Sequence, residues 1–156
     1  MKEKWKSFFI AVAIPLAVGA LSAFLSGGGM QAFSALNKPP LSPPGWLFPV
    51  VWTILYILMG LASWLVWNES PRCPEARDGL ALYALQLFFN FFWSIIFFNW
   101  KQYLAAFIWL LGMILLIWSC RNNFLKCSKT AGNLLVPYLL WCVFAAYLNV
   151  MIYLLN

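Results

Sequence analysis

The chain alternates between long uncharged blocks and short charged ones. No Asp, Glu, Lys or Arg occurs in residues 7–37, 39–68, 79–100, 102–120 or 130–156. A helix needs about 20 consecutive apolar residues to cross the hydrocarbon core of a bilayer. The pattern therefore predicts five transmembrane helices, over roughly 8–25, 45–67, 79–98, 102–120 and 133–155. Strands of a membrane barrel would alternate apolar and polar residues, and a stretch such as "LFFNFFWSIIFF" (87–98) does not. The expected architecture is an all-α membrane protein. It is read as a single five-helix transmembrane domain over residues 1–156, with a proline-rich outer loop between helices 1 and 2. The first run also resembles a signal peptide, with "KEKWK" as its basic region and "VGA" (18–20) as a cleavage site. Its apolar stretch continues to Leu25 and full spans follow, which favours a true span.

Composition supports the pattern. The chain is 64% hydrophobic and only 9% charged, where a soluble domain carries about 25% charged residues. A water-soluble fold is excluded on that ground. The net charge of +6 would suit nucleic acid in a soluble protein. Here the charges sit between apolar runs and are better read as topology signals, so no nucleic-acid partner is expected. Lys2, Lys4, Lys6, Arg72, Arg77, Arg121, Lys126 and Lys129 fall on one side of the five-span arrangement, and Lys38 and Lys101 on the other. The positive-inside rule then puts the N-terminus inside and the C-terminus outside a cell membrane.

The segment "NKPPLSPPGW" (37–46) lies on the outer side in this topology. Proline fixes φ and lacks a backbone donor, so the segment is stiff and non-helical. "GGG" at 27–29 offers a joint before it, "MQAFSALN" a short interfacial helix, and Pro44 a residue suited to the first turn of span two. Trp46 and Phe48 are expected at headgroup level. Two readings stand: a stiff connector with an aromatic anchor, or a lid formed by Lys38, Pro39, Pro40, Pro43, Pro44 and Trp46 over a pocket.

Candidate chemistry is sparse. Histidine is absent, which removes the usual general base and the commonest metal ligand. Cys73, Cys120, Cys127 and Cys142 form no C-x-x-C pair and read as apolar fillers or loop thiols, so no metal site is expected. No charged side chain falls inside a span, which disfavours a proton relay. The uncharged polar residues form stripes at helical spacing. These are Trp52, Tyr56, Gly60, Ser63 and Trp67 in span two, Gln86, Asn90, Trp93/Ser94 and Phe97 in span three, and Tyr138, Trp141, Ala145 and Asn149 in span five. Facing one another, they would line an apolar cavity with few polar handles, as small-molecule sites do. Amides and hydroxyls between membrane helices also serve simply to join them, and both readings stand for Asn90. Trp5, Trp67, Trp100 and Trp118 lie near span ends and read as interfacial belt residues. Ala13/Ala17 and Gly19/Ala23 give a weak small-xxx-small packing signal.

The segments "ALNKPPLSPPGWLFPVVWTILYILMGLASWLVW", "LQLFFNFFWSIIFF" and "LLVPYLLWCVFAAYLN" resemble the loop with second helix, the third helix and the fifth helix of the tryptophan-rich sensory protein and translocator (peripheral benzodiazepine receptor) family. The resemblance implies a five-helix bundle, often a homodimer, and no obligatory cofactor. It implies binding of porphyrins, haem-related tetrapyrroles, isoquinoline or benzodiazepine-type drugs and sterols beneath the first loop, between helices two, three and five. By match to the family motifs the ligand-facing positions are Trp52, Asn90, Trp93, Ser94, Trp141 and Ala145, and Tyr56 shares their stripe. Two departures stand out. A Trp-Tyr pair common in the family reads Ala32-Phe33 here, which speaks against the porphyrin degradation tied to loop tryptophan. Tyr147 is followed by no Lys or Arg, which leaves the proposed sterol motif incomplete. The expected function is a membrane receptor or sensor for flat hydrophobic ligands, with transport or weak porphyrin degradation as alternatives. No positioned acid, base or nucleophile points to an enzyme.

Overall fold

The computed structural model describes every residue except Gly28, and Met30 by its backbone alone. The joint read at 27–29 thus falls partly outside the described residues. Helix α1 (Lys2–Leu25) is followed by the short α2 (Gly29–Ser34), then α3 (Leu47–Glu69) and α4 (Glu75–Ser94). A π-helical turn (Ile95–Asn99) extends α4. Helices α5 (Tyr103–Cys127), α6 (Lys129–Leu134) and α7 (Val136–Leu155) complete the chain. Among the described residues, five helical segments are long and apolar enough to cross a membrane: 2–25, 47–69, 75–99, 103–127 and 129–155.

These segments run past the charge boundaries that marked them in the sequence. Helix α1 begins among the lysines, α4 takes in Glu75, Arg77 and Asp78, and α5 continues through Arg121 and Lys126. Charge ends an apolar block but not a helix: Glu75 and Asp78 suit the first turn of α4, and Lys126 suits the last turn of α5. Pro44 lies outside α3, which starts at Leu47, and its carbonyl accepts from the Leu47 N–H at 3.0 Å. Pro49 is the proline inside the first turn.

Helix α3 packs tightly against α1 where Gly60 faces it. A Cβ at Gly60 would lie 2.6 Å from Val12 Cα and 2.7 Å from the Ala11 carbonyl oxygen. Pro15 sits inside α1 and cannot donate to that carbonyl, so Gly60 lies against an oxygen that lacks its helical partner. One level away, Phe8 packs edge-on to Trp64 at 5.3 Å, and the Trp64 indole N–H donates to Ser7 Oγ at 3.1 Å. Gly60, placed by spacing on a cavity-facing stripe, is instead this helix contact. Of the small-xxx-small pairs, Gly19 lies against the Tyr56 ring, whereas Ala13 and Ala17 are exposed.

A buried core joins α3, α4, α5 and α7 around Met59, Tyr83, Met113, Phe124 and Tyr138. The Trp109 ring stacks on Phe89 at 4.1 Å, and its N–H donates to the Phe89 carbonyl at 2.7 Å, which locks α5 to α4. At the end of the bundle away from the proline-rich loop, Cys73 and Cys127 form a disulfide across 54 residues of sequence. This corrects the reading of all four cysteines as fillers or loop thiols; Cys120 and Cys142 are the two that are free and buried. No C-x-x-C spacing announces the pair, because its halves come from the α3–α4 loop and the end of α5. The bundle exterior is apolar, with Phe9, Ile14, Leu21, Phe24, Leu115, Leu140 and Leu154 exposed. The belt candidates Trp5, Trp67, Trp100 and Trp118 are also exposed.

Candidate ligand cavity

Two segments cap the bundle on the side of residues 37–46. Helix α2 turns Phe33 inward, where its ring meets Phe48 edge-on at 5.6 Å and packs near Phe97 and Phe98. The proline-rich loop follows. Lys38 lies over the Phe33 ring at 5.0 Å. Pro39 is buried, Pro43 half-buried, and Pro40, Pro44 and Trp46 are exposed. Leu41 adopts φ 70°, and Ser42 donates to the Pro39 carbonyl at 2.8 Å. Beneath this cap lies a cavity of about 490 Å³, within the usual range for small-molecule sites.

Helices α3, α4 and α7 all contribute to its wall, as the stripes predicted, and α1 and α2 do too. Trp52, Tyr56, Asn90, Trp93, Ser94 and Ala145 line it together. Trp141 does not. Its ring packs on Phe48 at 5.9 Å and borders a shallow groove between α3 and α7 on the outside. The loop residues Lys38, Pro39, Pro40, Pro43, Pro44 and Trp46 are not part of the lining either; the covering residues are Gly29 and Phe33. Phe48, expected at headgroup level, is half-buried and faces the cavity. Leu16, Gly19, Ala20, Ser22, Ala23 and Ser26 of α1 and its end complete the wall. Spacing gave no sign of them as lining, because between Phe8 and Leu25 the one polar residue of α1 is Ser22, too few to mark a face.

The π turn shapes one side. It widens the helix by one residue, and Phe97 and Phe98 from this turn reach the lining. Trp93 stacks on Phe97 at 5.4 Å, and Trp52 stacks on Tyr56 at 5.6 Å.

A directed chain of hydrogen bonds runs under the cavity. Tyr56 donates its hydroxyl hydrogen to Asn90 Oδ1 at 2.7 Å. Asn90 Nδ2 donates to the Tyr138 hydroxyl at 2.9 Å, and Tyr138 donates onward to Gln86 Oε1 at 2.6 Å. Asn90 is 3% exposed and Tyr138 fully buried. A separate knot forms at Asn149, which accepts from the Trp93 indole N–H at 3.1 Å and donates to the Tyr103 carbonyl at 2.7 Å. Asn90 therefore joins α3, α4 and α7 while also bordering the cavity.

No ionised side chain belongs to the cavity lining among the described residues. The wall is thus an aromatic and aliphatic surface with neutral hydrogen-bonding groups. It offers area for stacking and no charge for a fixed ion.

Residues 11–155 match the model of the TspO/MBR family. The chain belongs to the TspO/MBR family. Its similarity to individual TspO/MBR proteins is spread along the chain. It is 38% identical to the tryptophan-rich protein TspO of Chlorobaculum tepidum over 157 residues, covering 100% of this chain and 99% of that one. It is 35% identical to the tryptophan-rich sensory protein of Cereibacter sphaeroides, over 96% of this chain and 90% of that one. It is 36% identical to the human translocator protein, over 91% and 83% respectively. Together with five membrane-length helices, TspO/MBR membership makes this a multi-pass membrane protein.

Proposed function

We propose that the protein is a membrane receptor or sensor whose cavity takes up flat, largely apolar ligands. Porphyrins and haem-related tetrapyrroles come first, and isoquinoline or benzodiazepine-type molecules and sterols belong to the same broad class. The carrying observation is the cavity of about 490 Å³ between α1, α3, α4 and α7, with the rings of Trp52, Trp93, Phe33 and Phe97 on its wall. Aromatic faces give a planar ligand broad contact at little entropic cost. The names of the relatives, sensory in one case and translocator in another, support a role in sensing or transport. Binding is favoured over passage because the cavity is closed below by the Tyr56–Asn90–Tyr138–Gln86 chain and the packed core beneath it.

The functional unit we propose is a homodimer in a cell membrane, with the N-terminus inside and the cavity cap outside, following the eight-to-two division of basic residues. Labelling of a cysteine at position 38, in a cysteine-free background, from the outer face alone is the expected result. Labelling from the inner face alone would reverse the topology. Equilibrium titration of the purified protein with protoporphyrin IX, haem and a sterol, followed by tryptophan quenching, tests the binding role. Saturable quenching by the tetrapyrroles is expected, and its absence would remove them from the ligand class.

A further inference from the structure

The cavity is not covered equally on all sides. Its lining residues on α4, the π turn and α7 are buried or half-buried, and Gly29 and Phe33 of the cap are buried. Among the described lining residues, the exposed ones are Ala20 and Ala23 of α1 and Pro49 and Thr53 of α3. Facing the cavity does not by itself expose a side chain, since Ala145 and Leu148 line it and are only 8% and 4% exposed. The four exposed residues therefore mark an open side between α1 and α3.

Further along, the same two helices are closed on each other, at Gly60 against the α1 backbone and at Gly19 against the Tyr56 ring. Past that level, towards the cap, the α1 edge of the opening carries only the methyl groups of Ala20 and Ala23. On the α3 edge the one polar side chain is already bonded: Thr53 donates its hydroxyl hydrogen to the Pro49 carbonyl of its own helix at 2.7 Å. The surface beside the opening is apolar and exposed, with Leu21 and Phe24 on α1 and Val50 and Ile54 on α3. Edges that ask for no hydrogen bond, set in an apolar surface, suit hydrocarbon rather than water. We propose that this slot is a portal through which ligand passes between the cavity and the half of the bilayer on the cap side. A flat ring system dissolved in lipid can pass edge-on between two helices whose facing side chains are this small. The cap then acts as a roof that holds bound ligand, and the slot as its way in and out. The inference rests on the cavity being the ligand site and adds the phase from which ligand arrives.

The test narrows the slot from each edge, with Ala23→Phe and Thr53→Phe, and widens it with Thr53→Ala. Ala17→Phe is the control, because Ala17 is exposed on α1 and lies outside the lining. Each protein is reconstituted in phosphatidylcholine vesicles. Tryptophan quenching follows protoporphyrin IX binding after rapid mixing, and its release after dilution into protein-free vesicles. A portal sets rates and not the depth of the site. In Ala23→Phe and Thr53→Phe, association and dissociation should therefore slow together by about three- to tenfold, a barrier raised by roughly 0.7–1.4 kcal/mol, with the dissociation constant kept. Thr53→Ala should speed both rates, and Ala17→Phe should change neither. Wild-type rates in both narrowed variants, equal slowing in Ala17→Phe, or weaker binding through faster dissociation alone would each overturn the portal. If the narrowed variants fail to melt cooperatively, Thr53→Ala decides, and wild-type rates in it would overturn the portal. Absence of saturable quenching in the wild type, seen before any variant is compared, would instead remove the ligand site on which the portal depends.

Discussion

Asn156 grips the backbone of Asn37 from both sides: its Oδ1 accepts the Asn37 N–H at 3.1 Å, and its Nδ2 donates to the Asn37 carbonyl at 3.0 Å. Tyr147 adds a third tie by donating to the Pro40 carbonyl at 3.1 Å. The loop is therefore fastened to α7 by three bonds to its own backbone. Preorganised loops lower the entropic cost of closing over a ligand. Tyr147→Phe combined with Asn156→Ala should speed porphyrin dissociation by about three- to thirtyfold, given net bonds of about 0.5–1.5 kcal/mol each, weakened here by exposure. Stopped-flow dissociation reads this directly, and an unchanged rate would make residues 37–46 a connector rather than a lid.

Gly60 sets how closely α1 approaches α3. Any side chain there meets the α1 backbone at Val12, and backbone cannot swing aside as a side chain can. Gly60→Val should destabilise the protein by about 2 kcal/mol or more, in the range for overpacked sites. Because α1 supplies one wall of the cavity, ligand affinity should fall with it. Thermal melts and titrations of the same preparation check both effects.

The Cys73–Cys127 bond closes a 54-residue separation. Loop-closure entropy for that length corresponds to about 4 kcal/mol of stabilisation. Reduction, or Cys73→Ser with Cys127→Ser, should lower the melting temperature while leaving the cavity at the other end intact. Maleimide labelling after denaturation should find two thiols without reductant and four with it, since Cys120 and Cys142 are free.

Asn90→Ala removes the middle of the Tyr56–Asn90–Tyr138 chain. The Tyr56 hydroxyl loses its acceptor, so a cost of about 1–3 kcal/mol in stability is expected. Ligand affinity should fall as well, because the same amide borders the cavity. Denaturation and titration of this variant against Tyr138→Phe separates the two effects. Tyr138→Phe breaks the chain one step from the lining and should cost stability with less loss of affinity.

The number and order of the spans were legible because charge is expensive in a bilayer, so charged residues mark where spans end. Trp52, Tyr56, Asn90, Trp93, Ser94 and Ala145 were legible as stripes because each shares a helix with polar or aromatic neighbours at the same period. The α1 wall was hidden because Leu16, Ala20 and Ala23 look the same whether they face lipid or a cavity. Phe33 was noticed only as a departure from a family pattern, and its inward turn depends on α2 folding back over the π turn. Trp141 shares the periodicity of its stripe yet packs outside, since a stripe fixes a face of a helix and not the neighbour that face meets. The disulfide depends on two loops meeting, which spacing within one segment cannot encode.

The proposed ligand site is the space beneath Phe33. Ala145 is small, buried and lines that space, so Ala145→Phe places a large side chain into it. Titration of this variant with protoporphyrin IX, beside wild type and with melting curves of both, is the most direct measurement. Binding at least about tenfold weaker, or some 1.4 kcal/mol, is expected from a variant that still melts cooperatively. Wild-type affinity in a well-folded Ala145→Phe protein would contradict it.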